Sequence, residues 1–378
     1  MITPSKLDLT ALIGARVRGL EEYAPEPPEE TARRLGIPMG QLIKLDANEN
    51  PYGPTRHTLD VLAGFSQYHV YPDPISRRLR VAIGEYIGVD PATIVVGNGS
   101  DELIDLIVRL FRPGPDGGGI GAMIECPPTF GMYGFYGATN DLEITAVPRG
   151  QDFTVDVAAI EALCAADPRP RLLFLTSPNN PDGALPADEV LERLLALPLL
   201  VILDEAYVEF AGGSRVGWVA ERGNLIVLRT FSKWAGLAGL RVGYGVFPAA
   251  LMPSLWRLKS PYNVNTVAQA AALATLSDVG QARANIAKIV AERDRLAARL
   301  REFPFLRVYD SQANYLLCRL MGIETAAVRA AMEARGIMLR YYGGALADCV
   351  RISVGTPMQD EAVLLVFRNL MGGDGDAR

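Results

Sequence analysis

The sequence predicts an α/β protein with a large domain on a mostly parallel, helix-covered sheet and a smaller α+β domain. Three observations carry this. Short, nearly continuous apolar runs at 172–176, 199–203 and 225–229 each stop at a polar loop and alternate with helix-like segments; such runs are strands buried on both faces. After residue 265 the texture changes to a long helix over 281–303, where Ile289, Leu296 and Leu300 recur seven and four residues apart. Four strands (306–309, 315–318, 338–341, 350–354) and two helices (324–335, 359–371) follow. Third, 378 residues exceed one ordinary core. The expected division is an N-terminal arm over 1–45 associated with the small domain, a large domain over 46–270 and a small domain over 271–378.

Composition narrows the class. Hydrophobic residues make up 49% and charged residues 21%, the balance of a soluble globular chain. A net charge of −6 with dispersed arginines argues against nucleic acid as a partner. Cys126, Cys164, Cys318 and Cys349 form no CxxC pair, and only His57 and His69 could add imidazoles, so no metal site is expected. Free thiols fit a reducing compartment. The first 23 residues are charged throughout, and the longest apolar run, near Leu195–Leu203, contains Pro198. Neither a leader nor a membrane span is expected, and the cytoplasm is the expected location.

Taken in order, the chain opens with an amphipathic segment, Leu9, Leu12, Ile13 and Val17 at helical spacing. Prolines in EEYAPEPPEE break it, and Tyr23 is the residue of note there. Asn48 to Pro54, with Asn50 inside it, is turn chemistry. Tyr71-Pro72-Asp73-Pro74 is extended or turned, and Ser76 is placed to cap a helix over 77–87. A strand at 93–97 breaks at Asn98-Gly99-Ser100 and becomes the helix DELIDLIVRLF. Free N–H groups and the helix dipole converge there on an anion site. Glu102 occupies the third glycine position of a dinucleotide fingerprint, and no Gly-Lys-Ser/Thr follows, so neither nucleotide motif is present. Residues 112–119 are a connection. The strand GAMIE runs into CPPTFGMYGFYG, where Phe130, Tyr133 and Tyr136 cluster; aromatic clusters are mostly core, but position after a strand end favours Phe130.

The strand ends carry the chemistry, since ligands of open α/β sheets sit at the carboxyl ends of strands. Asn180, Asp204, Tyr207, Lys233 and Ser100 all lie within a few residues of such an end. Lys233 stands between hydroxyls and eight residues before Arg241. An amine so placed can form an imine with an aldehyde, while Thr230, Ser232 and Arg241 hold a phosphate. A pyridine aldehyde needs a carboxylate at its ring nitrogen, and Asp204 suits that role. Tyr207 and Asn180 can donate to a phenolic oxygen. Lys233, once displaced, can move the α-proton, help of a kind worth about 10²–10⁴-fold.

With these blocks in place the chain resembles the fold-type-I PLP-dependent aminotransferases of class II, and among them the histidinol-phosphate aminotransferases. The resemblance runs from about Tyr23 to Val354 through DANENPYGP, YPD, GNGSDEL, PPTFGMY, SPNNPDG, DEAYVEF, RTFSKWAGLAGLRVGY, PYNVN and VRISVGT. It implies pyridoxal 5'-phosphate on Lys233, Asp204 at the pyridine nitrogen, and Asn180 and Tyr207 at the phenolic oxygen. The phosphate would be held by Ser100 with the Gly99–Asp101 backbone, and by Thr230, Ser232 and Arg241. Phe130 takes the ring-stacking position, often tyrosine in the family. Tyr71 matches the residue that reaches the neighbouring subunit's phosphate, which implies a homodimer with shared active sites. Arg351 would clamp an α-carboxylate, Arg340 and Tyr23 match positions near a distal phosphate, and Asn50 is grouped with the substrate.

Two departures stand out. Asp182 replaces the usual threonine, which places a negative charge near the rim, and the segment around Tyr23 reads EYAPEPP. The implied reaction is transamination of L-histidinol phosphate with 2-oxoglutarate, giving imidazole acetol phosphate and L-glutamate, in L-histidine biosynthesis. Alternatives are an aromatic amino acid aminotransferase and a threonine-phosphate decarboxylase-like enzyme. A PLP-dependent regulator or a non-catalytic binder fits less well with the charge and the retained lysine.

Overall fold

In the computed structural model, residues 7–20, 26–114 and 117–372 are described. Tyr23 lies outside them. The strands, in chain order, are β1 (Ile43–Leu45), β2 (Ile94–Gly97), β3 (Ala122–Glu125), β4 (Glu143–Ala146), β5 (Arg171–Thr176) and β6 (Leu199–Asp204). They continue with β7 (Leu225–Thr230), β8 (Gly243–Val246), β9 (Leu306–Val308), β10 (Tyr315–Leu320), β11 (Ile337–Tyr341) and β12 (Cys349–Ser353).

Seven of them form one sheet in the order β2-β8-β7-β6-β5-β3-β4. The run from β7 to β4 is parallel, and β8 lies antiparallel between β7 and β2. The three central strands show why the sequence reads as continuous apolar runs. Alternate side chains feed two different cores: Leu173, Leu175, Val201, Leu203 and Val227 on one face, and Leu172, Phe174, Ile202, Ile226 and Leu228 on the other. Each such side chain contributes about 1.5–3 kcal/mol by leaving water. Both faces are covered, so no polar alternation is tolerated until the strand ends.

The ends of β5 and β6 are level, and β7 runs two residues past Leu228, the partner of Asp204. Thr176 of β5 pairs with Asp204 of β6, and Thr230 closes β7 opposite Gly243 of β8. Register alone therefore brings a hydroxyl, a carboxylate and a second hydroxyl to one edge.

The second sheet runs β1-β11-β12-β10-β9, antiparallel except for β1 beside β11. Ile43–Leu45 of the N-terminal arm pairs with Ile337–Leu339, so the arm supplies an edge strand to the small sheet. The helix Val279–Leu300 bridges the two cores: Ala282 and Ile289 pack with the large sheet, Leu296 and Leu300 with the small one.

One local expectation is corrected. Ser76 precedes the helix Arg77–Ile87, but it is left-handed (φ 50°) and its hydroxyl makes no cap. Asp73 does that work, its carboxylate accepting from the N–H groups of Ile75 (3.1 Å) and Arg77 (2.9 Å). A carboxylate at a helix start satisfies orphan donors and meets the positive end of the dipole.

Candidate active site

A cavity of about 590 Å³ opens where β5, β6 and β7 end and the helix Ser100–Phe111 begins. Ser100, Asp101, Phe130, Asn180, Asp204, Tyr207, Thr230, Ser232, Lys233 and Arg241 line it, with Thr176, Ala206 and Ala238.

One end is built for an anion. Gly99 turns the chain into the helix with φ 80° and ψ 175°, a backbone region open essentially to glycine alone. A Cβ at Gly99 would lie 2.6 Å from Nη2 of Arg241. The torsion calls for glycine, and a side chain here would also push aside the tip of the Arg241 guanidinium. Arg241, itself left-handed at φ 53°, donates to the Ala238 carbonyl (3.3 Å) and to Asp101 Oδ2 (2.9 Å), which fixes its fork at the helix start. Across the cup, Ser232 N–H donates to Thr230 Oγ1 (3.1 Å) and the two hydroxyls lie 2.9 Å apart. Hydroxyls, a guanidinium and a helix N-terminus converge as a phosphate requires.

The other end is built for a basic ring nitrogen. Asp204 is buried at the tip of β6; the Tyr133 hydroxyl donates to its Oδ2 (2.8 Å) and Ala206 N–H to its Oδ1 (3.1 Å). Burial pushes its carboxyl up to about 6, against the lowering effect of the Tyr133 bond, with Asp101 and Glu205 adding to the rise. A cation beside Oδ would offset that burial and keep the carboxylate charged. Tyr133 is fixed in turn, its oxygen 2.9 Å from Thr176 Oγ1 and its ring stacked on Phe174 at 4.9 Å. Phe130 meets Tyr133 edge-on at 5.5 Å while lining the cavity.

Between the two ends sit the donors and the amine. Asn48 Nδ2 donates to the Tyr207 oxygen (3.1 Å), which leaves the Tyr207 proton to donate into the cavity. Asn180 Oδ1 accepts from Arg351 Nη1 (2.6 Å), leaving its Nδ2 as a donor. Lys233 Nζ donates to the Ala47 carbonyl (2.9 Å). Burial lowers the Lys233 amine to about 8, with Arg351, Lys44 and Arg241 pushing the same way and Glu49 opposing. About a tenth of such an amine is neutral at pH 7, far more than of an ordinary lysine, and that fraction can act as a nucleophile.

Two further guanidiniums come from the small sheet, and neither lines the cavity. Arg340 and Arg351 are direct partners across β11 and β12, so both project from one face. Arg351 also donates to the Asp46 carbonyl (2.5 Å), and its Nε is buried without a partner. Arg340 lies 5.9 Å from the Tyr342 ring and has no carboxylate partner among the described residues. Like charges opposite each other are destabilising; an anionic ligand relieves that cost.

Asn50 and Asp182 are not where the sequence placed them, and Tyr71, expected to reach a neighbouring subunit, lies at the surface. Both polar ends of Asn50 are engaged locally: its Nδ2 donates to the Trp234 carbonyl (2.9 Å) and its Oδ1 accepts from Tyr52 N–H (2.9 Å). It braces the loop after Lys233 and does not line the cavity. Tyr71 is 79% exposed and stacked on Tyr262 at 4.8 Å, outside its own chain's cavity. Asp182 is not on the rim. It is 1% exposed and held by Asn179 Nδ2 and Ala184 N–H, which compensate a buried charge.

Two residues escaped the sequence reading. Tyr133 was visible only as one of three clustered aromatics, and its role depends on Asp204, 71 residues away. Asn48 has φ 55° and is fully buried; besides Tyr207, it exchanges hydrogen bonds with Ser353 (2.8 and 3.0 Å), and its carbonyl accepts from Asn314 (3.0 Å). It ties the cavity to the small sheet.

Comparison with known proteins follows the same lines. Residues 40–366 match the family model for aminotransferase class I and II. A histidinol-phosphate aminotransferase of Roseiflexus castenholzii is 48% identical over 373 residues, 96% of this chain and 99% of that protein. A chloroplastic histidinol-phosphate aminotransferase of Nicotiana tabacum is 45% identical, covering 95% of this chain and 86% of its own length. Among solved structures, a histidinol-phosphate aminotransferase from Sinorhizobium meliloti in complex with pyridoxal-5'-phosphate superposes with a TM-score of 0.82. It is 26% identical and covers 95% of this chain and 98% of its own.

Proposed function

The chain belongs to the aminotransferase class I and II family, and within it to the histidinol-phosphate aminotransferases; from that premise we propose its reaction. It moves the amino group of L-histidinol phosphate to 2-oxoglutarate, giving imidazole acetol phosphate and L-glutamate, a step of L-histidine biosynthesis. The observation that carries the reading is the meeting of a buried, easily deprotonated Lys233, a carboxylate at Asp204 and a phosphate cup in one cavity.

The residues fit pyridoxal 5'-phosphate: the cup at Gly99, with no room for a Cβ beside Arg241, takes the phosphate, and Asp204 takes the ring nitrogen. When bound, the cofactor supplies the aldehyde that accepts the amino group and the ring that draws off electrons. Asp204, held by Tyr133, keeps a proton on that nitrogen. Asn180 and Tyr207 would direct their free donors at the phenolic oxygen. Lys233 takes the proton from the substrate's α-carbon and returns it at the far side of the transfer. Phe130, which lines the cavity, would lie against a ring face and exclude water there.

Substrate recognition falls to the arginine pair. L-Histidinol phosphate has no α-carboxylate, so Arg340 and Arg351 both serve its phosphate, which carries roughly −1.5 to −2 charge at neutral pH. In the second half of the cycle the same pair serves the two carboxylates of 2-oxoglutarate. A purified-protein assay tests the choice. L-Histidinol phosphate with 2-oxoglutarate should yield L-glutamate far faster than L-phenylalanine or L-tyrosine, and threonine phosphate should release no carbon dioxide. Turnover of the aromatic amino acids alone, or carbon dioxide without a 2-oxo acid, rejects the reading.

The active form in this reading is a homodimer with shared sites, supported by Tyr71, exposed beside Tyr262 and ready to reach a partner's phosphate. We place it in the cytoplasm: its four cysteines are buried and free, and among the described residues no helix is long and apolar enough to cross a membrane.

A further inference from the structure

We infer that a second cavity, on the opposite side of β7 from the phosphate cup, is a binding site for a small zwitterionic α-amino acid. Successive strand residues point to opposite faces, and here Thr230 lines the first cavity while Arg229 lines the second. The second has a volume of about 580 Å³ and shares no lining residue with the first.

Its floor is an incomplete ion pair. Arg229 Nη2 lies 2.6 Å from Glu209 Oε1, the two side chains being 7% and 4% exposed. Glu209 Oε2 and Arg229 Nε are both buried with no hydrogen-bond partner, and Glu205 Oε2 lies 3.9 Å from that Nε, beyond hydrogen-bond reach. Buried polar atoms are nearly always satisfied, so orphans lining a cavity point to a missing partner. At the rim, Arg283 is exposed and has neither an ion pair nor a hydrogen bond among the described residues. Tyr86, Val208 and Ile286 supply apolar wall.

The charges choose the ligand. Arg229 and Arg283 are balanced by Glu205 and Glu209, so the site favours a molecule with no net charge but separated ends. A simple anion would approach Glu209, and a simple cation would approach two guanidiniums. A zwitterion satisfies both, its carboxylate on Arg283 and its ammonium on the free Glu209 oxygen, with its side chain along Tyr86. Burial holds the Glu209 carboxyl up near 7, with Arg229 opposing, and a ligand ammonium would bring it down.

The site is wired to a reporter. Tyr86 stacks on Trp234 at 5.4 Å and 19°, and Trp234 follows Lys233 in the chain. The test titrates purified Arg351→Ala holoenzyme, whose active-site arginine pair is broken, with each proteinogenic L-amino acid by calorimetry and tryptophan fluorescence. At least one should saturate at one molecule per chain and change the tryptophan emission. Adding Arg283→Ala should weaken it about tenfold or more, the loss of a charge-assisted hydrogen bond. Arg283→Ala alone should leave amino transfer unchanged, and Glu209→Gln, if folded, should also weaken the ligand. No saturable binding, equal affinity in the Arg283→Ala protein, or competition by 2-oxoglutarate, which marks the active site instead, would overturn the inference.

Discussion

Lys233 is the residue on which the chemistry turns, and its environment makes a pH prediction. The buried amine titrates near 8, against an ordinary 10.5. Between those values the unfolded chain binds more protons at this group, so its contribution makes stability rise with pH across that window; below about 8 the full cost of burying the charge applies. Capture of pyridoxal 5'-phosphate by cofactor-free protein should therefore speed up with pH and level off above about 8. A rate still climbing past pH 10 would mean an unperturbed lysine. Tyr133 sets the companion prediction. In Tyr133→Phe, Asp204 loses the hydrogen bond that lowers its carboxyl, so the acid limb of cofactor binding should move to higher pH. Affinity should fall about tenfold, the worth of one hydrogen bond to a charged group. Asp204→Asn should cost more, about 10²-fold, because the ring nitrogen is left unpaired. Equilibrium dialysis against the cofactor, across pH, measures both.

At the scale of the element, the turn from β2 into the helix Ser100–Phe111 is the most constrained. Gly99→Ala forces a side chain into a torsion costing about 1–3 kcal/mol and into the Arg241 fork. Cofactor affinity should drop by tenfold or more while thermal unfolding falls only by a few degrees; unchanged dialysis would show that the cup is not where the phosphate sits. This turn was legible in the sequence because its signals are local: an apolar strand, Asn-Gly-Ser, then an amphipathic helix. The ends of β5, β6 and β7 were legible for the same reason, since a doubly buried strand must stay apolar until it leaves the sheet. Direction was not. The run from Val242 to Phe247 carries no mark of lying antiparallel between β7 and β2, which is decided by pairing across the sheet. Partners distant in sequence were equally hidden. Asp182 seemed a rim charge because its neighbours in the loop are polar, whereas Asn179 and the Ala184 amide draw it inward. Asn50 and Asn48 sit two residues apart in one turn, and only folding shows that Asn48 touches Tyr207 while Asn50 turns away.

For the molecule as a whole, the large sheet supplies the residues that line the cavity, and the small sheet reaches them through Arg351, which donates to Asn180, and through Ser353, which holds Asn48 against Tyr207. If two copies share their sites through Tyr71, each homodimer of Lys233→Ala or of a Tyr71→Ala variant should be impaired. Mixing them after unfolding and refolding together should restore about a quarter of native activity, because half the dimers are mixed and one site in each is intact. No recovery would assign Tyr71 to its own chain or to no site. Most direct of all is to follow the nitrogen itself. Supplied with L-histidinol phosphate labelled in its α-amino nitrogen, and unlabelled 2-oxoglutarate, the native protein should place the label in L-glutamate, one for each imidazole acetol phosphate formed, and Lys233→Ala should lose this transfer by at least about 10²-fold. Label that stays in the donor, or a Lys233→Ala protein that transfers it at the native rate, would contradict the account.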